Sequence, residues 1–186
     1  MNLLTRQIEA YQPCCEQETA DHLIILNALA TLPHLLTREN KIAHLTASSW
    51  IVNPARDKVL MAYHNIYQSW SWTGGHADGD ADLKAVACRE ACEETGLSAV
   101  KSLSDAIFSL EVLCVEGHRK RGVYVAPHLH LNVTYLLCAE DTMPVFCKPD
   151  ENAAVRWFAA ADAAAASREP YMRGIFEKLN EKAKQF

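Results

Sequence analysis

The sequence GGHADGDADLKAVACREACEETGL occupies residues 74–97, and it predicts a glycine loop that leads into a helix over residues 82–95. Asp80 and Asp82 lie at the start of the helix, and either carboxylate is suited to cap its first turn. Gly96 follows the helix, where a residue without a Cβ readily ends it in the left-handed conformation. The stretch therefore predicts a capped helix of defined length that follows a tight turn.

Three carboxylates share one face of this predicted helix. Glu90, Glu93 and Glu94 are spaced i, i+3 and i+4, and like charges at these spacings repel each other. A hard divalent cation such as Mg²⁺ offsets that repulsion, because it prefers oxygen ligands and often links protein carboxylates to substrate phosphates. A solvated acidic helix after a glycine turn explains the same spacing, so the three glutamates alone leave both interpretations open.

The complete stretch resembles the Nudix box, G-x5-E-x7-R-E-U-x-E-E-x-G-U, in which U is an aliphatic residue. One position departs from the pattern: Ala81 stands where the first glutamate is expected. The departure leaves the number of bound ions open more than the reaction class that the resemblance implies. The residues that match the fixed positions are Gly75, Arg89, Glu90, Glu93, Glu94, Gly96 and Leu97.

The resemblance implies a role for each matching residue. It implies Mg²⁺ or Mn²⁺ as the cofactor, and structural roles for Arg89 and Gly96. Glu151 precedes a predicted strand that contains a tryptophan, and the resemblance makes it a further ligand or the general base. The implied metal ligands are Glu90, Glu93, Glu94 and the carbonyl of Gly75. The implied catalytic residues are Glu90, Glu93 and Glu151.

The resemblance extends over about residues 40–160, and the GGHADGD opening at 74–80 is similar to that of a bacterial Nudix subgroup. It implies an α/β (α+β) fold, a Nudix-like α/β/α sandwich with a mixed sheet. Residues 1–40 are expected to form an N-terminal helical extension, and residues 41–186 the Nudix domain. The implied function is that of a MutT-like pyrophosphohydrolase, which cleaves a diphosphate bond in a nucleoside diphosphate linked to another moiety.

Periodicity and turn residues predict the elements around the box helix. The residues from 159 to 166 are rich in alanine and precede a closing helix. Strands on both sides of one central helix favour a mixed sheet covered by helices. The predicted strands are 47–52, 58–63, 107–116, 122–126, 129–139 and 154–158, and the predicted closing helix is 169–184.

Several residues outside the box are candidates for substrate contact. Arg119 and Arg121 belong to a basic run that either steers a phosphate or forms a solvated loop. Trp72 either stacks on a base or packs in the core. His128 and His130 alternate on one strand face and form an H-x-H pair. No cysteine or further histidine has the spacing of a zinc site, which favours hydrogen-bonded strand histidines or groups that line the cleft.

Composition limits the partners. The formal charge of −5 does not favour a polynucleotide, whose affinity comes mainly from Lys and Arg contacts with phosphates. We expect a small nucleotide-like diphosphate as the substrate, no membrane association and, from the habit of the family, a homodimer. Seven cysteines without a C-x-x-C pair favour a reducing compartment, so we expect a cytoplasmic protein.

Two alternative functions remain. An enzyme similar to isopentenyl diphosphate isomerase needs a cysteine paired with a glutamate in the cleft, whereas Cys88 and Cys92 lie within the box helix. A catalytically impaired Nudix-fold module for ligand binding or regulation is permitted by Ala81. The intact group of three box glutamates argues against that module.

Overall fold

The computed structural model describes residues 3–120 and 122–186, and Arg121 lies outside the described residues. The helices are α1 (Leu3–Glu9), α2 (Glu16–Thr31), α3 (Leu83–Thr95), α4 (Ala160–Ala166) and α5 (Pro170–Ala183). The strands are β1 (Ala43–Val52), β2 (Lys58–His64), β3 (Ser69–Ser71), β4 (Thr73–His76), β5 (Lys101–Ser102), β6 (Ser109–Val115), β7 (His118–Lys120), β8 (Val123–Val125), β9 (His128–Cys138) and β10 (Asn152–Ala159).

Eight strands form one mixed sheet. Five of them follow the order β10-β2-β1-β9-β5, while β3 pairs with β2, β4 with β1 and β6 with β9. The central strands β1 and β9 run parallel, and His44 pairs with His130. The other strand pairs of the sheet are antiparallel. The prediction of a mixed sheet is confirmed.

Helices cover both faces of this sheet. One buried cluster joins α1, α2 and α3 to one side of β1, where Leu45, Ala47 and Ile51 point. The other cluster joins α4 and α5 to the opposite side through Trp50 and Phe176, whose rings stack with centroids 5.1 Å apart. Because neighbouring side chains of a strand point to opposite faces, β1 supplies both cores, and the predicted α/β/α sandwich is confirmed.

Strand β1 begins earlier than the sequence predicted. Its buried stretch includes His44 and Thr46, which lie before the predicted start at residue 47, as well as Ser48. The hydroxyl groups of Thr46 and Ser48 donate hydrogen bonds to the Asn132 side chain on β9, at 2.9 and 2.8 Å. Buried polar groups are tolerated where such partners satisfy them, so the neighbouring strand explains the longer element.

Two segments predicted as loops are strands. Gly74 and Gly75 belong to β4, where Gly75 pairs with Ala47 of β1. A Cβ on Gly74 would lie 2.5 Å from the Ala47 carbonyl oxygen, so the glycine permits this close pairing. The basic run from His118 begins with β7, which forms a separate two-stranded sheet with β8.

Helix α2 contacts α5 through a buried ion pair. The side chain of Glu18 is fully buried and accepts hydrogen bonds from Tyr11 and Lys182, at 2.6 and 2.9 Å. The ammonium group of Lys178 lies 3.2 Å from the same carboxylate. These contacts connect α2 to α5, and the boundary predicted at residue 40 stays a prediction.

Candidate metal and catalytic site

Helix α3 begins and ends at residues suited to those positions. The Asp82 carboxylate accepts a hydrogen bond from the Ala85 amide at 3.0 Å, as expected of an N-terminal cap. Gly96 has a φ of +69° and donates its N–H to the Cys92 carbonyl. A Cβ there would lie 3.0 Å from the Phe146 side chain, so Gly96 has the structural role that its place in the sequence predicted.

Three carboxylates converge at the C-terminal half of α3. Glu90 and Glu94 lie one turn apart on the helix, and Glu151 joins them from the segment before β10. One oxygen atom of each lies within 4.8 Å of the others. We call these three residues the carboxylate cluster; it combines two positions of one helix with a third that lies far away in the sequence.

Glu94 is the most buried member of the carboxylate cluster. Its side chain accepts a hydrogen bond from the Gly74 amide at 2.8 Å, and the residue is only 5% exposed. Burial raises the pKa of Glu94 to about 8; the bond from Gly74 opposes the shift, and the charges of Glu151 and Glu90 add to it. A cation that replaces the missing hydration would favour the ionised form.

Glu90 contacts strand β4 at Gly75. A Cβ built on Gly75 would fall 2.5 Å from the carboxyl carbon of Glu90, so a residue without a side chain is needed for this contact. Burial raises the pKa of Glu90, and the neighbouring charges of Glu93 and Glu151 raise it further. The backbone of Gly75 and the carboxylate of Glu90 are therefore close neighbours, as the predicted ligand set requires.

Glu93 is not a member of the carboxylate cluster and contacts two cationic side chains. Its carboxylate lies 3.3 Å from the ammonium group of Lys148 and 4.0 Å from the guanidinium group of Arg89. Arg89 also approaches Glu90 at 3.7 Å and Asp80 at 3.8 Å. Arg89 thus bridges three acidic residues, which is consistent with its predicted structural role, while ligation by Glu93 stays a prediction.

Sequence reasoning missed Lys148. Its ammonium group contacts Glu151 at 3.1 Å as well as Glu93, and the hydrogen bond to Glu151 is the main cause that raises the pKa of Lys148 to about 12. The only signal in the sequence was the spacing of three residues between Lys148 and Glu151. This lysine carries positive charge to the edge of an otherwise acidic cluster.

Asn152 was also missed, and it fixes the position of Glu151. Its fully buried amide donates to the backbone carbonyl of Glu94 at 3.0 Å and accepts from the Lys148 amide at 3.0 Å. These bonds join the start of β10 to the last turn of α3. The residue after Glu151 therefore holds the third carboxylate beside the helix.

The carboxylate cluster fits a hard divalent cation. Mg²⁺ takes oxygen ligands at about 2.0–2.1 Å and commonly binds through one or two carboxylates together with substrate phosphates. The oxygen atoms of Glu90, Glu94 and Glu151 are within 4.8 Å of each other, so small side-chain rotations bring them to one ion. Such an ion would also relieve the repulsion that raises the pKa of Glu90.

The match to a known family covers most of the chain. The model of the NUDIX domain matches residues 43–179 of the 186. The chain belongs to the Nudix family. The prediction of a Nudix-type hydrolase is thereby confirmed at the level of the family, whereas the bacterial subgroup stays a prediction. No significant match was found among curated proteins.

Solved structures share the Nudix fold at low sequence identity. The Ap4A hydrolase of C. elegans, in a binary complex, is 19% identical with a TM-score of 0.56, over 76% of this chain and 98% of that chain. The MutT protein of Methanosarcina mazei Go1 is 17% identical with a TM-score of 0.56, over 78% and 98%. The dihydroneopterin triphosphate pyrophosphohydrolase of E. coli is 16% identical with a TM-score of 0.54, over 72% and 92%.

Two of the predicted substrate contacts of this Nudix protein, Arg119 and Trp72, are among the described residues. Arg119 is exposed on the β7–β8 hairpin and donates to the Gly122 carbonyl at 3.1 Å. The Trp72 ring packs edge-on against Phe176, with centroids 5.6 Å apart, at the core on the other face of the sheet. This packing favours a core role for Trp72, and substrate contact by Arg119 stays a prediction.

The cysteines of the Nudix helix do not suit nucleophilic catalysis. Burial raises the pKa of both Cys88 and Cys92, which favours the thiol over the reactive thiolate. Cys88 packs against the hydrophobic cluster under α3. Neither residue supports the isomerase alternative, which requires a cysteine in the cleft.

Proposed function

We propose that this Nudix protein is a metal-dependent hydrolase that cleaves a diphosphate bond in a nucleoside diphosphate linked to another moiety. The observation that carries the proposal is the carboxylate cluster, in which oxygen atoms of Glu90, Glu94 and Glu151 lie within 4.8 Å of one another. Mg²⁺ or Mn²⁺ is the proposed cofactor, because both ions suit oxygen ligands.

Two structural neighbours support a nucleotide-like substrate. One is named as a hydrolase of Ap4A, and another as a pyrophosphohydrolase of dihydroneopterin triphosphate. Both names describe small phosphorylated molecules, and we extend that substrate class to this chain as part of the proposal. A homodimer and a cytoplasmic location belong to the proposal as well. None of the described helices is both long and apolar enough to cross a bilayer.

In this proposal the more buried glutamates bind the metal ion, and the more exposed Glu151 acts as the general base. Glu90 and Glu94 hold the ion, with the Gly75 carbonyl and Glu93 as further ligands. When bound, the ion neutralises substrate phosphate charge and makes a coordinated water easier to deprotonate. Glu151 is 43% exposed at its side chain, which gives it access to solvent, and it accepts the proton of the attacking water.

Lys148 orients Glu151 and supplies positive charge in the proposed reaction. Its ammonium group lies 3.1 Å from the Glu151 carboxylate. The positive charge also faces the place where a polyanionic substrate approaches the carboxylate cluster. The same contact holds the Glu151 side chain in one orientation before substrate binds.

The test is a screen of the purified full chain against diphosphate compounds with Mg²⁺, with Mn²⁺ and with a chelator. The screen includes a nucleoside diphosphate sugar, a dinucleoside polyphosphate and a nucleoside triphosphate, and it follows the phosphorylated products. We expect metal-dependent release of two phosphorylated products from at least one linked nucleoside diphosphate. Nucleotide binding without product under all metal conditions would instead assign the impaired binding module.

A further inference from the structure

Four histidines meet on one face of the central sheet. His44 on β1, His76 on β4 and His130 on β9 have ring nitrogen atoms within 4.8 Å of one another. His128 adds a fourth ring, with its centroid 4.8 Å from that of His44 and 5.1 Å from that of His130. We call these four residues the histidine cluster; its members come from three strands that are far apart in the sequence.

The histidine cluster lies on the opposite face of the sheet from the carboxylate cluster. His76 pairs with Thr46, and Gly75 pairs with Ala47. Neighbouring residues of a strand face opposite sides. Gly75 contacts Glu90 on the α3 side, so His76 projects from the other side. The backbone of β4 therefore separates the two clusters, and they form two distinct sites.

The hydrogen bond of His44 determines which of its ring nitrogens carries a lone pair. Nδ1 lies 3.3 Å from the Asn40 carbonyl oxygen, which can only accept, so Nδ1 carries the proton. Nε2 of the neutral ring then offers a lone pair. His44 is 5% exposed, and its buried Nε2 has no hydrogen-bond partner among the described residues. A buried acceptor without a partner is costly, and a metal ion would satisfy it.

His128 presents a lone pair in the same way. Its Nδ1 lies 2.9 Å from the Ala126 carbonyl oxygen, so its Nε2 is the acceptor, and this Nε2 faces Nε2 of His130 at 3.3 Å. Two nitrogen ligands of a tetrahedral zinc ion, each at about 2.0–2.1 Å, are about 3.3 Å apart. Metal-binding histidines also characteristically donate their other ring N–H to a backbone carbonyl.

We propose that His44, His76, His128 and His130 form a binding site for a transition-metal ion with nitrogen ligands, with Zn²⁺ as its occupant. Imidazole suits zinc, whereas Mg²⁺ prefers oxygen. The proposal does not depend on the hydrolase function, because none of the four side chains belongs to the carboxylate cluster.

The charges around the histidine cluster favour a cation site over a phosphate site. Burial, together with the neighbouring imidazoles, lowers the pKa of His130 to about 2, and burial also lowers the pKa of His44. A lowered pKa favours the neutral imidazole that metal binding requires, and it disfavours the cationic form that would bind phosphate. The nearby Arg38 is paired with Asp78 through contacts of 2.8 and 2.5 Å, so its charge is already neutralised.

The experiment measures zinc in the full chain after all metal has been removed with a chelator. Zn²⁺ is titrated in excess Mg²⁺, which occupies oxygen ligands but competes poorly for imidazole. Wild type is compared with His44→Gln and with the less buried His128→Gln, and His118→Gln on the β7–β8 hairpin is the matched control. Co²⁺ in place of Zn²⁺ reports the ligand type through its visible absorption. Circular dichroism checks that each variant is folded.

We expect one tightly bound Zn²⁺ per wild-type chain, and a strong Co²⁺ absorption that indicates four-coordinate nitrogen ligation. Either cluster variant should bind zinc at least about 100-fold more weakly, because a lost ligand costs no less than a lost outer hydrogen bond. The His118→Gln control should bind like wild type. Equal zinc affinity in a folded cluster variant and the control overturns the proposal. Wild-type protein that binds no Zn²⁺ in excess Mg²⁺ overturns it as well.

Discussion

The backbone N–H of Gly74 donates a hydrogen bond to Oε1 of Glu94 across 2.8 Å. This bond joins β4 to α3 and holds a buried carboxylate in one orientation. Its partner is a backbone group, so the position of Glu94 depends on the pairing of β4 with β1. Strand β4 and helix α3 therefore position Glu94 together.

Replacing Glu94 with Gln should reduce kcat by more than about 100-fold, because a direct metal ligand contributes more than the outer partners whose loss costs about 10–100-fold. The variant is nearly isosteric, and its side-chain oxygen can still accept the bond from Gly74. Its fold and thermal unfolding without metal should therefore match wild type. Steady-state kinetics on the substrate found in the screen provide the measurement.

The control for this variant is Glu140→Gln, an exposed carboxylate outside the site. It should keep wild-type kcat. Near-normal activity in Glu94→Gln would show that the assignment of the metal ligands is wrong.

Replacing Gly75 with Ala should lower activity by about 100-fold with little change in the free energy of unfolding, because small displacements of reacting groups cost about that much. The new Cβ would lie 2.5 Å from the Glu90 carboxyl carbon, so the carboxylate has to move. A carboxylate is the far end of a flexible side chain, and its movement leaves the core intact.

Gly174→Ala is the matched control for this change. Nothing lies within 4 Å of its added Cβ on α5, and alanine in place of a helix glycine stabilises by up to about 1 kcal/mol. Activity should stay at the wild-type level. Equal activities in the two alanine variants would refute the close-contact argument for Gly75.

Adding Mg²⁺ or Mn²⁺ should raise the thermal midpoint of the metal-free protein. An ion that binds only the folded state stabilises by about 2.7 kcal/mol at 100 times its Kd, and each kcal/mol raises Tm by about 2–4 °C in a chain of this size. A double variant, Glu90→Gln with Glu94→Gln, should lose the increase. Differential scanning calorimetry at several ion concentrations measures it, and an undiminished increase in the double variant would place the ion elsewhere.

Replacing the buried Glu18 with Gln should lower the free energy of unfolding by about 3 kcal/mol near neutral pH, which is typical when one partner of a buried ion pair is removed. Burial alone raises the pKa of Glu18, but hydrogen bonds from Tyr11 and Lys182 lower it from 4.5 to about 2. A lowered pKa means that the ionised carboxylate stabilises the fold. The exposed Glu16→Gln on the same helix should be nearly neutral.

The pH dependence of this difference follows from the sign of the shift. The stabilisation by Glu18 is complete above its unfolded pKa of 4.5 and is lost as the pH falls towards 2. The free energies of unfolding of wild type and Glu18→Gln, measured in urea, should therefore converge as the pH falls from 4.5 towards 2. A difference that stayed constant across that range would contradict the ion-pair argument.

The sequence by itself determined the box helix and the family. The start of α3 at Asp82, its end at Gly96 and the spacing of Glu90 and Glu94 depend on residues within one or two helical turns. Local propensity and helical periodicity govern such features, so the sequence revealed them directly. The same local spacing did not distinguish Glu93 from its neighbours, because the direction of its carboxylate depends on Lys148.

Only the tertiary structure decided which distant residues meet. The pairing of β1 with β4 and β9 turned a predicted glycine loop into a strand and gathered His44, His76 and His130. The contact of β10 with α3 placed Glu151 beside Glu94 through Asn152. Strand register is set by packing between segments far apart in the chain, so no spacing within one segment indicates these neighbours.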